Sequence, residues 1–515
     1  MGESPEGNND LPGMAESYWV ATSPETAFPP LDGAGRADVT VIGGGIAGIT
    51  TAFLLKRAGL TVALIDAYRI ITGATGHTTA KITSLHRLIY TGLIDRFGSG
   101  KARQYADANQ AAIETIASLV REYAIPCSFE RKPAYTFAES ADGRERVAAE
   151  ADAAKSLGLS AAFTEEVGLP GETHGAVVLE NQAQFHPRNY LLLLAGHLPG
   201  EGSYIFEMTR AVDIKEQDGG VTVRTDRGSL HSGYAVLATH YPIYDIPGAY
   251  FARMRPSRSY ALALRTDEPF PDGMFINAAG PVHSWRSQPA GGGEIAIVTG
   301  AAHDTGKVTD TRAHYRSLEA YARSVYPVRA VDYRWSAQDY ITADGVPYIG
   351  PLAPGHDRVF VATGFGKWGM TNGTAAGMIL ADLIRGRTNP WAEVFDPARF
   401  GGESAPPAGV REALRSAGGT VVAGADRIAR EAAAIPPREG KVVEVGGQKV
   451  AVYRDGRGTL HTLDPTCMHM ACTVAWNNAE ESWDCPCHGS RYDARGRVIE
   501  SPTVKDLVQK EVVRR

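Results

Sequence analysis

The hydrophobic rhythm of the chain changes three times, and the changes outline its architecture. Near the front, the largely apolar run Val39–Ile42 enters a glycine turn, the helix-forming run Ile49–Gly59 leaves it, and a second largely apolar run, Thr61–Ile65, follows. Runs without polar alternation suit strands covered on both faces, so this strand–helix–strand unit predicts a parallel sheet. Similar runs recur at Ala235–Thr239 and Val359–Gly364. In the middle, Arg103–Tyr123 and Glu145–Leu157 read as helices, and Arg258–Leu264, Met274–Asn277 and Glu294–Gly300 as strands of a second sheet. Toward the end, Lys441–Val445, Gln448–Tyr453 and Thr459–Leu463 are short strands parted by Gly446-Gly447 and Asp455-Gly456-Arg457-Gly458, the pattern of a small β-barrel.

Two stretches lack this rhythm. Residues 1–36 are rich in Gly, Pro and polar residues and predict a surface arm, with Tyr18-Trp19 as an anchor. Phe395–Gly419 is rich in Pro, Gly, Ala and Ser and reads as a linker. The expected division is an arm over 1–36, a body over 37–390, a linker over 391–424 and an all-β domain over 425–515. Within the body, segments near 37–105, 165–245 and 336–390 form an α/β Rossmann-like domain. Segments near 106–164 and 246–335 form an interleaved α+β domain for substrate.

Composition narrows the function classes. A chain of 515 residues holds about three domains, and 43% hydrophobic residues with 57 glycines suit a large α/β core. A net charge of −6 argues against a nucleic-acid surface. There is no run of 18 apolar residues, and the polar, acidic N-terminus lacks a signal-like apolar region. A cytoplasmic protein with no transmembrane segment is therefore expected. Four of the five cysteines fall in the last 50 residues, which is no secreted disulfide framework.

The front motif carries chemistry. In Gly43-Gly-Gly45-Ile-Ala-Gly48, Gly43 makes the tight turn and Gly45 lets a pyrophosphate approach the helix N-terminus. Gly48 permits close strand–helix packing, and Asp66 at the end of the second strand accepts ribose hydroxyls. The loop that follows, Ile71-Thr-Gly73-Ala-Thr75-Gly76-His77-Thr78-Thr79-Ala-Lys81, resembles that of the D-amino-acid-oxidase-like flavoproteins (the glycine, sarcosine and glutamylputrescine oxidase group). So do Asp344–Gly350 and the turn Gly364-Phe-Gly366-Lys367-Trp368-Gly369, across about residues 37–390. The resemblance implies FAD, with the loop passing over the flavin and the later turn aiming a helix N-terminus at it. That later turn also has dinucleotide-type glycine spacing, but no acid-ended strand follows its helix. A separate nicotinamide domain is not expected, and electrons enter from an organic substrate.

The terminal motif is Cys467-Met-His469-Met-Ala-Cys472 with Cys485-Pro-Cys487-His488-Gly-Ser490-Arg-Tyr492. Two thiolates and two imidazoles suit a Rieske [2Fe-2S] cluster, and the same ligand types also suit structural zinc. Ser490 and Tyr492 are placed to donate hydrogen bonds to cluster sulfur, which favours iron. The segment resembles the Rieske domains of respiratory and photosynthetic cytochrome complexes, departing at Met468 and Ala471, where those proteins have Thr and Gly. The resemblance implies Cys467, His469, Cys485 and His488 as ligands, a Cys472–Cys487 disulfide between the loops, and a cluster of the higher-potential kind.

The expected function is oxidation of an amine or amino acid by hydride transfer to FAD, with electrons leaving through the cluster to an unidentified external acceptor. Two alternatives stay open: an oxygen-using amine oxidase with an accessory Rieske domain, or an electron-transfer module without turnover. Lys81 and Lys367 are candidates for stabilising reduced flavin, Arg286 for binding a substrate carboxylate, and Tyr260 for the substrate pocket, with His240 and Gln338 weaker. His77 stands where dimethylglycine- and sarcosine-dehydrogenase relatives carry a histidine joined covalently to flavin, although Gly76 replaces their Trp. Covalent and noncovalent attachment both stay open. His186 and Cys127 read as structural.

Overall fold

The front apolar runs lie side by side inside a six-stranded sheet of the computed structural model, which describes residues 11–217, 219–400, 421–423, 431, 433–445 and 447–513. The strand order is Tyr348–Pro351, Val359–Thr363, Tyr234–Leu237, Val39–Ile42, Val62–Ile65 and Tyr204–Phe206. All pairs are parallel except the one joining the first two. Every residue of Val39–Ile42 and of Val62–Ile65 is buried, as the lack of polar alternation requires. The helices Ile46–Arg57 and Gly369–Ile384 follow the two glycine turns.

A nine-stranded sheet forms the second layer, dominated by the long strands Met254–Thr266, Gly293–Asp304 and Val328–Thr342. Two expected boundaries shift. Ala176–Gln184 falls in a segment expected in the parallel sheet, yet it pairs with Glu130–Phe137 in this second one. An apolar strand announces its burial but not its partner. Val328–Thr342 also runs past the expected boundary near residue 335, so one strand serves both domains. The helix expected at Arg103–Tyr123 begins earlier, at Tyr90, and is interrupted at Gly98 (φ 77°).

The arm lies along the surface of the body, with many of its described residues exposed, and is anchored there by a few buried side chains. Trp19 is wholly buried, and Leu11 and Leu31 are nearly so. Arg334 holds the arm's start by donating to Leu11 O at 3.1 Å and Pro12 O at 3.2 Å. At the other end, residues 391–400 pack as part of the body: Val394 and Phe395 are buried, and Arg399 pairs with Asp344 at 2.7 Å. The rest of the expected linker, apart from Val421–Ala423, lies outside the described residues.

The C-terminal domain stacks a three-stranded sheet, Glu439–Val445, Gln448–Arg454 and Leu460–Leu463, near a four-stranded one spanning Ala475–Glu500. Tyr453, Leu463, Trp476, Trp483 and Tyr492 fill the space between. It docks on the body through polar contacts: Arg312 pairs with Glu439 at 3.0 Å, Thr311 Oγ donates to Asn477 Oδ1 at 2.7 Å, and Tyr315 donates to Glu480 at 3.0 Å. Among the described residues no helix is long and apolar enough to cross a membrane.

Candidate cofactor sites

A cavity of about 600 Å³ opens where the parallel sheet, the second sheet and the C-terminal domain meet. Gly43, Gly44 and Gly45 line it at the N-terminus of helix Ile46–Arg57. Gly43 has φ 111°, and a Cβ there would meet Ala238 O at 2.4 Å. Gly48 lies behind the turn; a Cβ on it would sit 1.9 Å from Gly43 O, so it packs the turn against the helix and does not line the cavity. Asp66 lines the wall where a ribose is expected. Its carboxylate accepts from Gly44 N–H at 2.8 Å and Tyr68 N–H at 2.9 Å, and burial raises its pKa to about 6.

The 73–79 loop brings Gly73, Thr75, His77, Thr78 and Thr79 to the cavity, while Gly76 turns its backbone away toward the arm. Ser17 Oγ donates to Gly76 O at 2.5 Å and Trp19 Nε1 to Thr78 O at 2.6 Å, so the arm's buried Ser17 and Trp19 clamp this loop from behind. Thr75 Oγ1 accepts from Ile46 N–H at 3.1 Å, tying the loop to the first helix, and His77 Nδ1 lies 3.0 Å from Gly73 O.

Two candidates sit elsewhere than expected. Arg286 is wholly buried and lines no part of the cavity; its guanidinium donates to Thr79 O, Ala80 O and Phe185 O at 3.1–3.2 Å. It braces the far side of the loop and has no route to a substrate carboxylate. Lys81 is also buried outside the cavity, donating to Phe275 O at 2.7 Å and to Ser284, and burial pushes its pKa far down. Both lie on elements whose sequence does not disclose which face is inward.

Lys367 and Gly369 line the opposite wall, and helix Gly369–Ile384 begins there without a cap from Trp368. Gly364 and Gly366 (φ 74° and 58°) shape the turn from outside the lining. Trp368 also points away and stacks on His86 at 4.6 Å. Lys367 faces the cavity with its Nζ near Ser259, and removal from bulk water lowers its pKa to about 8. Tyr260 lines the cavity with its hydroxyl 2.9 Å from His303 Nε2; His240 and Gln338 line it too. Two helix N-termini without side-chain caps of their own suit a pyrophosphate and a ring that gains negative charge. The residues present therefore fit FAD.

The terminal loops form a second centre. Cys467 and Cys485 are buried, facing thiols. The hydrogen bond from Cys485, and after it that from Tyr492, pull the Cys467 thiol down while Cys485 is pushed up. The His469 and His488 rings lie 5.0 Å apart, and the Nδ1 atom of each is buried without a protein partner. Two orphaned nitrogens beside two thiols are the donor set a [2Fe-2S] cluster requires. Cys472 and Cys487 form a disulfide joining the loops. Tyr492 OH lies 3.3 Å from Cys467 Sγ and accepts from Met468 N–H at 3.0 Å, while Ser490 Oγ is buried and accepts from Thr503 N–H at 3.3 Å. Ala471 takes the left-handed conformation (φ 60°) at the position where Gly is expected.

The two centres share a wall. Tyr340 lines the cavity, and its hydroxyl donates to His488 O at 3.3 Å and Ser501 O at 3.1 Å. Gln338 lines the cavity and donates to Gly489 O at 2.8 Å. Glu480, Arg491, Ile499, Glu500, Ser501, Thr503 and Val504 of the C-terminal domain also line it. Tyr340 carries no sequence motif; only its place two residues beyond Gln338 on one strand connects them.

Comparison with known proteins agrees with both centres. Residues 38–383 match the family model for FAD dependent oxidoreductases, and residues 427–511 that for the Rieske [2Fe-2S] domain. Relatives include the Rieske 2Fe-2S iron-sulfur protein YhfW of Bacillus subtilis (strain 168), 37% identical over 96% of this chain and 97% of that one. Gamma-glutamylputrescine oxidoreductase of Escherichia coli (strain K12) is 24% identical over 74% of this chain and 90% of its own. Among solved structures, L-proline dehydrogenase from P. horikoshii superposes with a TM-score of 0.60 at 19% identity, covering 72% of this chain and 98% of that one. The chain belongs to the FAD dependent oxidoreductase family and carries a Rieske [2Fe-2S] domain at its C-terminal end.

Proposed function

We propose that this enzyme oxidises the C–N bond of an amine or amino acid and sends the two electrons, one at a time, through the Rieske centre to an external acceptor. FAD, when bound, supplies hydride acceptance, and the cluster, when bound, supplies one-electron transfer. The observation that carries the reading is the shared wall: Tyr340 and Gln338 each touch the cavity and also the backbone of the second cluster loop. Placing a donor and a one-electron carrier on either side of one residue favours transfer within the chain.

The remaining residues have matching tasks. The glycine turn and first helix orient the dinucleotide; the clamped 73–79 loop holds the ring side of the cavity rigid. Lys367, cationic below about pH 8, stabilises negative charge arising at that wall. Tyr260, Gln338 and Asp339 lie where the substrate pocket meets the second sheet. Substrates of the similar proteins, γ-glutamylputrescine and proline by their names, support a small amine or imino acid.

Anaerobic mixing with a panel of amines and amino acids tests the reading. Flavin bleaching followed by a reduced-cluster EPR signal is expected. Bleaching with hydrogen peroxide formation in air and no cluster signal would replace it with the oxidase reading, and no bleaching across the panel would favour a module without turnover.

A further inference from the structure

The segment linking strand Tyr234–Leu237 to strand Met254–Thr266 belongs to the FAD-binding body, yet it holds a carboxylate facing the Rieske loops. Asp245 is 5% exposed, on a stretch no motif marks. Its Oδ2 accepts from Tyr241 OH at 3.0 Å and lies 2.9 Å from His469 Nε2. The other nitrogen of that ring, Nδ1, is the buried atom without a protein partner. A carboxylate on Nε2 fixes the tautomer with hydrogen on Nε2 and leaves the Nδ1 lone pair for metal. His488 turns toward the same segment, with its ring 6.2 Å from that of Phe251 and edge-on to it.

We propose that Asp245 is a positioning residue for the cluster: it orients His469, tunes the cluster's reduction potential, and latches the histidine edge to the FAD-binding body of the same chain. An anionic acceptor on the outer nitrogen of a ligating imidazole makes the ring a stronger donor, which stabilises the oxidised, more positive iron. The carboxylate is nearly dry, so its field reaches the cluster with little screening. Its placement outside the Rieske domain matters equally: the bond exists only while the two domains are docked. The outer nitrogen of His469 is then occupied by this chain.

The proposal uses the ligand assignment and not the direction of electron flow. Its test is therefore made on dithionite-reduced holoenzyme, without any organic substrate. Asp245→Asn keeps shape and removes charge; Tyr241→Phe keeps the charge and removes the competing donor, leaving the carboxylate more available to His469. Redox titration and EPR of both variants should show an upward potential shift and an altered g-tensor for Asp245→Asn, and no upward shift for Tyr241→Phe. A merely structural contact would disturb both alike. An unchanged or lowered potential in Asp245→Asn, or an equal upward shift in Tyr241→Phe, would overturn the proposal. Failure of substrate-driven cluster reduction in the wild type would instead count against the electron-transfer reading and leave this test intact.

Discussion

Removing one hydroxyl from the cluster loop offers a quantitative check of the Rieske centre. Tyr492 is wholly buried, with its OH 3.3 Å from Cys467 Sγ. Hydrogen bonds to charged groups contribute about 1.5–3 kcal/mol, and this one strengthens when an added electron makes the sulfur more negative. If about half of that value is differential between the two redox states, Tyr492→Phe loses about 0.75–1.5 kcal/mol of reduced-state stabilisation. For a one-electron couple, where tenfold is 59 mV, this is a fall in midpoint potential of about 30–65 mV. Loss of the acceptor for Met468 N–H, at 3.0 Å, adds a stability cost of about 1 kcal/mol. Redox titration followed by visible circular dichroism, with thermal melts alongside, measures both. A potential that stays put or rises would refute the assigned hydrogen bond to cluster sulfur. The opposite sign expected for Asp245→Asn makes the pair a joint control.

Three further outcomes follow from the geometry. Gly48→Ala places a methyl 1.9 Å from Gly43 O, closer than any rotamer change can relieve; purified protein should carry less than a tenth of the wild-type flavin per chain, read from absorbance. Ala471→Gly relieves a left-handed alanine and should raise stability by about 0.5–1 kcal/mol, seen as a higher melting temperature with unchanged EPR. Desolvation at the cavity wall lowers the Lys367 pKa to about 8 although its side chain stays solvent-accessible, so its charge is present below pH 8 and lost as pH rises through it. Flavin affinity for sulfite, an anion-stabilisation probe, should drop above pH 8 in the wild type and show no such step in Lys367→Met.

The fold was legible wherever local chemistry is self-sufficient. Gly43, Gly45 and Asp66 line one end of the cavity as their sequence order implies, because a strand, turn, helix and strand form a contiguous unit. The Cys/His loops did the same, since ligand spacing is set within each loop. What the sequence could not disclose was the facing of single side chains. Arg286 and Lys81 looked available, yet both are spent on backbone carbonyls and a hydroxyl behind the cavity. Trp19 read as the arm's anchor and is buried as one, but what it anchors to, the Thr78 carbonyl 59 positions away, carries no sequence signal. Tyr340 and Asp245 matter through contacts to the C-terminal domain, separated by 148 and 224 residues. Contacts of that range leave no periodicity to read.

Electron passage from the flavin cavity to the Rieske loops within one chain is the central claim, and the shared wall at Gln338 and Tyr340 makes it measurable. Substrate-reduced protein should be freeze-quenched anaerobically over a tenfold range of protein concentration, with flavin absorbance and the reduced-cluster EPR signal followed together. A cluster reduction rate independent of protein concentration is the predicted result. A rate proportional to concentration, or reduced flavin beside a cluster that stays oxidised, would contradict it.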